Sequence, residues 1–322
     1  MATVLDIKAH AIRKFFNFWG RLGGYVLNYG VTDALEITRD LPYGPDPMQR
    51  LDVLRPKHSI SEALPVLVYF HGGGWISADK RIYDGICSVL SSYGWLIFNV
   101  NYRLAPEHRF PAPQQDAAKA IEWIRCNANR YGGDASRIVL GGDSAGAQIA
   151  AWYAEAMHDG SLRSAAAITD CLPSDHLRGL LLFYGVYDFD TVRQASFPFI
   201  GIYTRSFLGT DEHTYAGNVV LASPSRHVST HLPPVFLCAG QRDGLYTQTV
   251  DFAALLQQSG IDCRILLFPG THRANHGFLF FRWLQSSEQA FAGVKEFLRG
   301  LTHPDFGSSL NSSIQSRQKP SQ

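Results

Sequence analysis

Residues 138–146 read Ile138-Val139-Leu140-Gly141-Gly142-Asp143-Ser144-Ala145-Gly146 and decide how the rest of the chain is read. An apolar run suited to a buried strand ends in Gly142-x-Ser144-x-Gly146, and the helix formers Ala147, Gln148, Ile149 and Ala150 follow at once. The pattern predicts a strand, a sharp turn and a helix, with a serine at the apex. A Cβ at either flanking glycine would collide with neighbouring backbone, so the turn leaves the serine Oγ exposed at the strand's end. The helix behind it aims the positive end of its dipole at the same point. The competing reading is a glycine-rich βα turn with an incidental serine, and the pentapeptide alone does not dismiss it.

Working outward, apolar runs recur at 66–70, 95–100, 138–141, 179–184, 235–239 and 265–268, most of them separated by helical stretches. Runs apolar on both faces that alternate with helices are what a covered parallel sheet requires. Before them, Leu35-Glu36-Ile37-Thr38 and Leu51-Asp52-Val53-Leu54 alternate at period two around a Pro/Gly cluster at 42–47, which predicts an antiparallel pair. The fold class expected is α/β, with an eight-stranded, mostly parallel sheet and helices on both faces. Two segments break this rhythm. Residues 1–30 read as a helix with Phe15, Phe16, Trp19 and Leu22 among basic residues, and roughly 188–230 carries Phe197, Phe199, Tyr203 and Phe207, too long and aromatic for a surface loop. Together they predict a helical cap over the sheet's carboxyl edge. The expected organisation is a cap segment over 1–45, a catalytic domain over 46–301 with its insert at about 188–230, and a disordered Ser/Gln-rich tail over 302–322.

A second signal, His71-Gly72-Gly73-Gly74-Trp75, follows the run at 66–70. Acyl transfer needs preorganised N–H groups for a developing oxyanion, and consecutive glycines can turn several amides inward. Gly73, Gly74 and Ala145 are the donors expected. With both motifs in order, the chain resembles the hormone-sensitive-lipase-like branch of the α/β-hydrolase esterases, over about residues 40–300. The resemblance extends to Tyr102-Arg103-Leu104-Ala105-Pro106-Glu107-His108, Phe110-Pro111-Ala112-Pro113 with Asp116, and His276-Gly277-Phe278. It implies the α/β-hydrolase fold and a serine carboxylesterase with no metal or organic cofactor. The Tyr102–His108 stretch has no chemical role of its own and is expected to be a solvated loop that braces the site.

This fold supplies its triad in the order Ser, Asp, His. The resemblance makes His276 the base, with His272 as its rival four residues earlier. For the acid, Asp243 follows the run at 235–239 and precedes His276 by 33 residues, with Asp188 as rival one strand earlier, where the plainer reading is a helix cap. The family commonly has Asp-Pro-Leu where this chain has Asp243-Gly244-Leu245, and an acid shortly after, where Thr247 and Gln248 stand. Ser144, Asp243 and His276 together favour an esterase of short- to medium-chain carboxylic esters over a catalytically silent ligand-binding receptor on the same scaffold. An amidase or peptidase shares the triad and is separated only by substrate.

The partner expected is thus a small-molecule ester. With 29 basic and 28 acidic residues the formal charge is +1, no field to attract a polyanion, so nucleic acid is not expected. A chain 46% hydrophobic and only 18% charged is not disordered in bulk. No run of 18 uncharged apolar residues occurs, so no stable membrane insertion is expected. Arg13, Lys14 and Arg21 interrupt the aromatic N-terminal stretch, which argues against a signal peptide. For that stretch, a helix lying on a membrane surface is the alternative to the cap, and the near-neutral chain favours the cap. Five cysteines (87, 126, 171, 238 and 263) show no Cys-x-x-Cys and no zinc spacing, so reduced, mostly buried thiols in a cytoplasmic protein are expected. The last strand leaves room for a homodimer across a two-fold axis, which nothing in the sequence compels.

Overall fold

The computed structural model describes residues 3–28, 30, 33–58 and 63–302. Eight strands form one sheet: β1 (Leu35–Pro42), β2 (Arg50–Pro56), β3 (Leu64–Phe70), β4 (Leu96–Val100), β5 (Gly133–Asp143), β6 (Leu177–Phe183), β7 (Val235–Gly240) and β8 (Cys263–Phe268). Their order is β1-β2-β4-β3-β5-β6-β7-β8. β1 and β2 pair antiparallel, β2 joins β4 antiparallel, and all later neighbours are parallel. The half-exposed alternation of β1 and the full burial of β3, β4 and β7 follow from these positions at the edge and the centre.

The helices are α1 (Val4–Leu27), α2 (Asp84–Ser91), α3 (Ala112–Asn127), α4 (Ala145–Ala156), α5 (Gly160–Ala165), α6 (Ile200–Leu208), α7 (Glu212–Ala222), α8 (Tyr246–Gln258) and α9 (Gln285–Thr302). Pleating divides the sheet's side chains between two cores. Val66, Val68 and Phe70 face Ile121 of α3, Phe252 of α8 and the whole of α4. Leu67 and Tyr69 face Ile86 and Leu90 of α2 and Phe291 and Leu298 of α9. α4 is buried on every side, and its alanines at 145, 147, 150, 151 and 154 let it lie close to the strands. Among the described residues, no helix is long and apolar enough to cross a membrane.

The expected N-terminal segment of 1–45 divides, because β1 is a strand of the sheet while α1 lies outside both helix layers. α1 docks through Ala9, which packs with Ile76, Ala105 and Tyr203 of α6. Two ion pairs fasten it, Arg13 to Glu107 at 2.7 Å and Asp6 to Arg109 at 2.9 Å. Burial acts to raise the Glu107 carboxyl, but hydrogen bonds from Arg13 and His10 outweigh it and hold it at about 2. The 188–230 insert holds α6 and α7, and Phe207 of α6 stacks on Trp75 with ring centroids 4.5 Å apart.

Two expectations need correction. The Tyr102–His108 loop is not solvated along its length, since Tyr102, Leu104 and Ala105 are buried and Arg103 grips buried Asp116 through two nitrogens at 2.8 and 2.9 Å. The cysteines, all free, are also less uniformly buried than expected, with only Cys87 and Cys238 in the core. Residues 303–322 of the expected tail lie outside the described residues.

Candidate active site

Parallel strands end at one edge, so the segments after β3, β5, β7 and β8 converge there. After β5, Ser144 takes φ 53° and ψ −117° before α4 begins. A Cβ at Gly142 would lie 2.5 Å from both the Phe70 carbonyl oxygen and the Gly146 carbonyl carbon, and one at Gly146 would collide with the same Phe70 carbonyl. Both glycines are therefore required by the approach of β3, and they let the turn lift Ser144 off the strand.

The Ser144 hydroxyl donates to His276 Nε2 at 3.0 Å, and His276 Nδ1–H donates to Asp243 Oδ2 at 2.8 Å. Asp243 is buried, and its second oxygen accepts from the Leu245 N–H at 2.9 Å. The rivals lie elsewhere in the network. Asp188 accepts from the N–H groups of Asp190 and Thr191, so it caps the turn that opens the insert. His272 is half-buried beside the Phe268 ring, 5.7 Å away, and its Nδ1 lies 3.3 Å from Thr271 Oγ1, with no hydrogen bond to Ser144 or Asp243.

Both departures after Asp243 have structural reasons. A Cβ at Gly244 would sit 2.7 Å from the Ser196 carbonyl oxygen, so the insert's backbone occupies the space of a larger residue. Gln248 is buried, accepts from the N–H groups of Tyr187 and Asp188 at 2.9 Å each, and donates to Thr191 Oγ1 at 2.7 Å. It ties the start of the insert to α8 through neutral hydrogen bonds.

After β3, Gly73 and Gly74 take φ 108° and 61°, a left-handed region open to glycine. Among the described residues their N–H groups have no hydrogen-bond acceptor, and Ala145 is the first residue of α4, whose N–H has no intrahelical partner. Three unspent donors thus flank Ser144.

Sequence reasoning missed what fixes this loop. The Gly72 N–H donates to Asp143 Oδ1 at 3.0 Å and to Tyr83 Oη at 2.9 Å, while Tyr69 and Tyr83 donate their hydroxyls to the Asp143 carboxylate at 3.3 Å. Burial pushes the Asp143 carboxyl up to about 6, against the pull of His276 and of these hydrogen bonds. The available signal was an acid inside the serine pentapeptide at the end of a buried strand, which has to find donors nearby. His71, whose imidazolium is disfavoured by burial, donates Nδ1–H to the Gly72 carbonyl at 2.7 Å and stacks on Tyr102 at 4.4 Å. Tyr102 in turn donates to the His71 carbonyl at 2.7 Å, and Trp75 Nε1–H donates to Gln148 of α4 at 3.0 Å.

The pocket above Ser144 has a volume of about 230 Å³, and its walls are mostly apolar: Phe16, Phe197, Tyr203, Leu245 and Phe280 surround Ser144 and His276. Among the described residues, no group of His, Cys, Asp and Glu side chains is placed to hold a metal ion.

Comparison with known proteins supplies the family and the fold. Residues 67–280 match the model of a family described by the α/β-hydrolase fold. The chain is 30% identical to esterase LipC of Mycobacterium tuberculosis over 245 residues, which is 74% of this chain and 59% of that protein. It is equally identical to carboxylesterase NlhH of the same species over 69% of each chain. The chain thus spans only about three fifths of the length of the LipC protein it matches. Esterase B of Lactobacillus rhamnosis superposes with a TM-score of 0.84, at 20% identity over 95% of this chain and 99% of that one, a likeness of fold.

Proposed function

Because the chain belongs to the α/β-hydrolase family, in its hormone-sensitive-lipase-like branch, we propose that it is a serine carboxylesterase working through Ser144, His276 and Asp243. The observation that carries this reading is the continuous hydrogen-bonded relay of 3.0 and 2.8 Å from a strained serine to a buried carboxylate. Free serine is a poor nucleophile. His276 Nε2 takes the Ser144 proton as Oγ bonds to the ester carbonyl carbon, and Asp243 holds the imidazole tautomer and stabilises the imidazolium. The carbonyl oxygen becomes an oxyanion received by the N–H groups of Gly73, Gly74 and Ala145, each donor being worth roughly 3 kcal/mol in the transition state. Collapse expels the alcohol, which leaves with the proton from His276. Water then attacks the acyl-enzyme by the same route and restores Ser144. No cofactor enters this chemistry.

The pocket's modest volume and aromatic walls support short- to medium-chain acyl groups as substrates and poor hydrolysis of long-chain triglycerides. We expect Ser144→Ala to abolish hydrolysis of nitrophenyl esters and labelling by a serine-directed phosphonate, with the circular-dichroism spectrum unchanged. Activity within about tenfold of the parent would refute the reading, since loss of a triad nucleophile costs orders of magnitude. Matched ester and anilide substrates separate the esterase from an amidase.

A further inference from the structure

α1 has two faces, and only one is accounted for. Its inner face packs on Ile76, Ala105 and Tyr203, and Phe16 reaches the catalytic pocket. Its outer face leaves Phe15, Phe18 and Trp19 more than half exposed, at 58, 64 and 53%. Among the described residues, the exposed large apolar side chains other than Val220 all belong to α1, to Phe199 or to the Phe281–Trp283 turn. These segments meet around one opening. Phe280, beside Phe281, lines the pocket with Phe16, and Arg282 Nη2–H donates to the Leu27 carbonyl of α1 at 2.8 Å. On the other side, Phe199 precedes α6 and shares a cleft with Phe16 and His276. An apolar patch of this kind, concentrated at a substrate entrance, marks a contact surface rather than scattered exposure.

Charge identifies what the surface contacts. The only acid in α1 is Asp6, which is held by Arg109, and Arg13 is held by Glu107. Among the described side chains of α1, Lys8 and Lys14 are exposed and in no ion pair. The outer face is therefore aromatic and cationic, with no carboxylate. A second copy of the chain across a two-fold axis would set these lysines against their own counterparts with nothing to neutralise them. An anionic lipid surface supplies both complements, acyl chains for the aromatic rings and phosphate for the lysines.

We propose that α1, flanked by Phe199 and the Phe281–Trp283 turn, docks the protein on an anionic lipid surface with the mouth of the pocket turned toward it. The docking rests on the esterase reading only for its consequence, that apolar esters enter from the bilayer. It can therefore be tested on full-length Ser144→Ala protein, whether or not that reading survives. Co-sedimentation is measured with vesicles of phosphatidylglycerol and phosphatidylcholine in equal parts, and with phosphatidylcholine alone. Binding should favour the mixed vesicles and weaken with salt. It should fall about tenfold or more both with Phe15→Ser/Phe18→Ser and with Lys8→Glu/Lys14→Glu. The same pairs, placed in the active enzyme, should leave hydrolysis of a water-soluble acetate ester within about twofold of the parent, which shows that the fold is intact. The proposal fails if the parent ignores the mixed vesicles or if neither pair weakens binding. It fails equally if sedimentation velocity shows a dimer that Phe15→Ser/Phe18→Ser dissolves, because the face then belongs to a second copy.

Discussion

Ser144 is held at φ 53°, a backbone conformation that costs a non-glycine residue roughly 1–3 kcal/mol and persists only where its surroundings dictate it. Two substitutions separate that strain from the chemistry. Ser144→Ala keeps the strain, whereas Ser144→Gly relieves it, so the glycine variant should unfold at higher denaturant, by about 1 kcal/mol relative to the alanine variant, with both inactive. Equal stability of the two would show that the turn carries no strain. At the partners, Asp243→Asn should lower kcat by about 10⁴, and His276→Ala comparably, while Asp188→Asn and His272→Ala change it little. Steady-state kinetics on a nitrophenyl ester read all four, and the opposite ranking would reassign the base and the acid. The serine was legible because its glycines serve backbone contacts that only a strand–turn–helix makes. The Gly72 anchor was not, since Asp143, Tyr69 and Tyr83 come from three separate segments and meet only once the sheet has formed.

At the scale of elements, the sheet was readable because burial on both faces writes itself as unbroken apolar runs, and β3, β4 and β7 are buried throughout. The place of α1 over the carboxyl edge, against the insert, was readable from its aromatics, but the clamps that fasten it were not, because Glu107 and Arg109 lie in a loop with no periodicity. The same docking places Phe16 and Gly20 in the pocket wall. Deleting residues 1–30 should therefore widen the pocket, shift acyl preference toward longer chains and raise binding of a hydrophobic dye, while phosphonate labelling of Ser144 persists. Profiling nitrophenyl esters of increasing chain length checks this, and an unchanged profile would place α1 outside the substrate path.

For the whole molecule, stability should carry a pH signature from Glu155. Burial in α4 pushes this carboxyl up to about 9, although it accepts a hydrogen bond from the Ser229 N–H at 2.8 Å. A carboxyl whose folded value lies above its ordinary 4.5 adds stability below that pH and gives it up as pH rises through about 9. Glu155→Gln should accordingly flatten the fall in stability across that window, leaving the variant more stable at pH 9 by on the order of a few kcal/mol, each pKa unit being worth about 1.4 kcal/mol. Chemical denaturation at pH 5, 7 and 9 reads the slope, and parallel curves for parent and variant would rule the group out. The clamps on α1 also set a timetable. Asp6 and Arg109 are 103 residues apart, and α6, against which α1 packs, ends only at Leu208. At about 5–20 residues per second, the ribosome makes α1 roughly 10–40 s before its landing site exists. Throughout that interval Ala9 and Phe16, on the inner face of α1, lack the Tyr203 side chain and the pocket wall they meet in the folded protein, so the helix must wait for its seat.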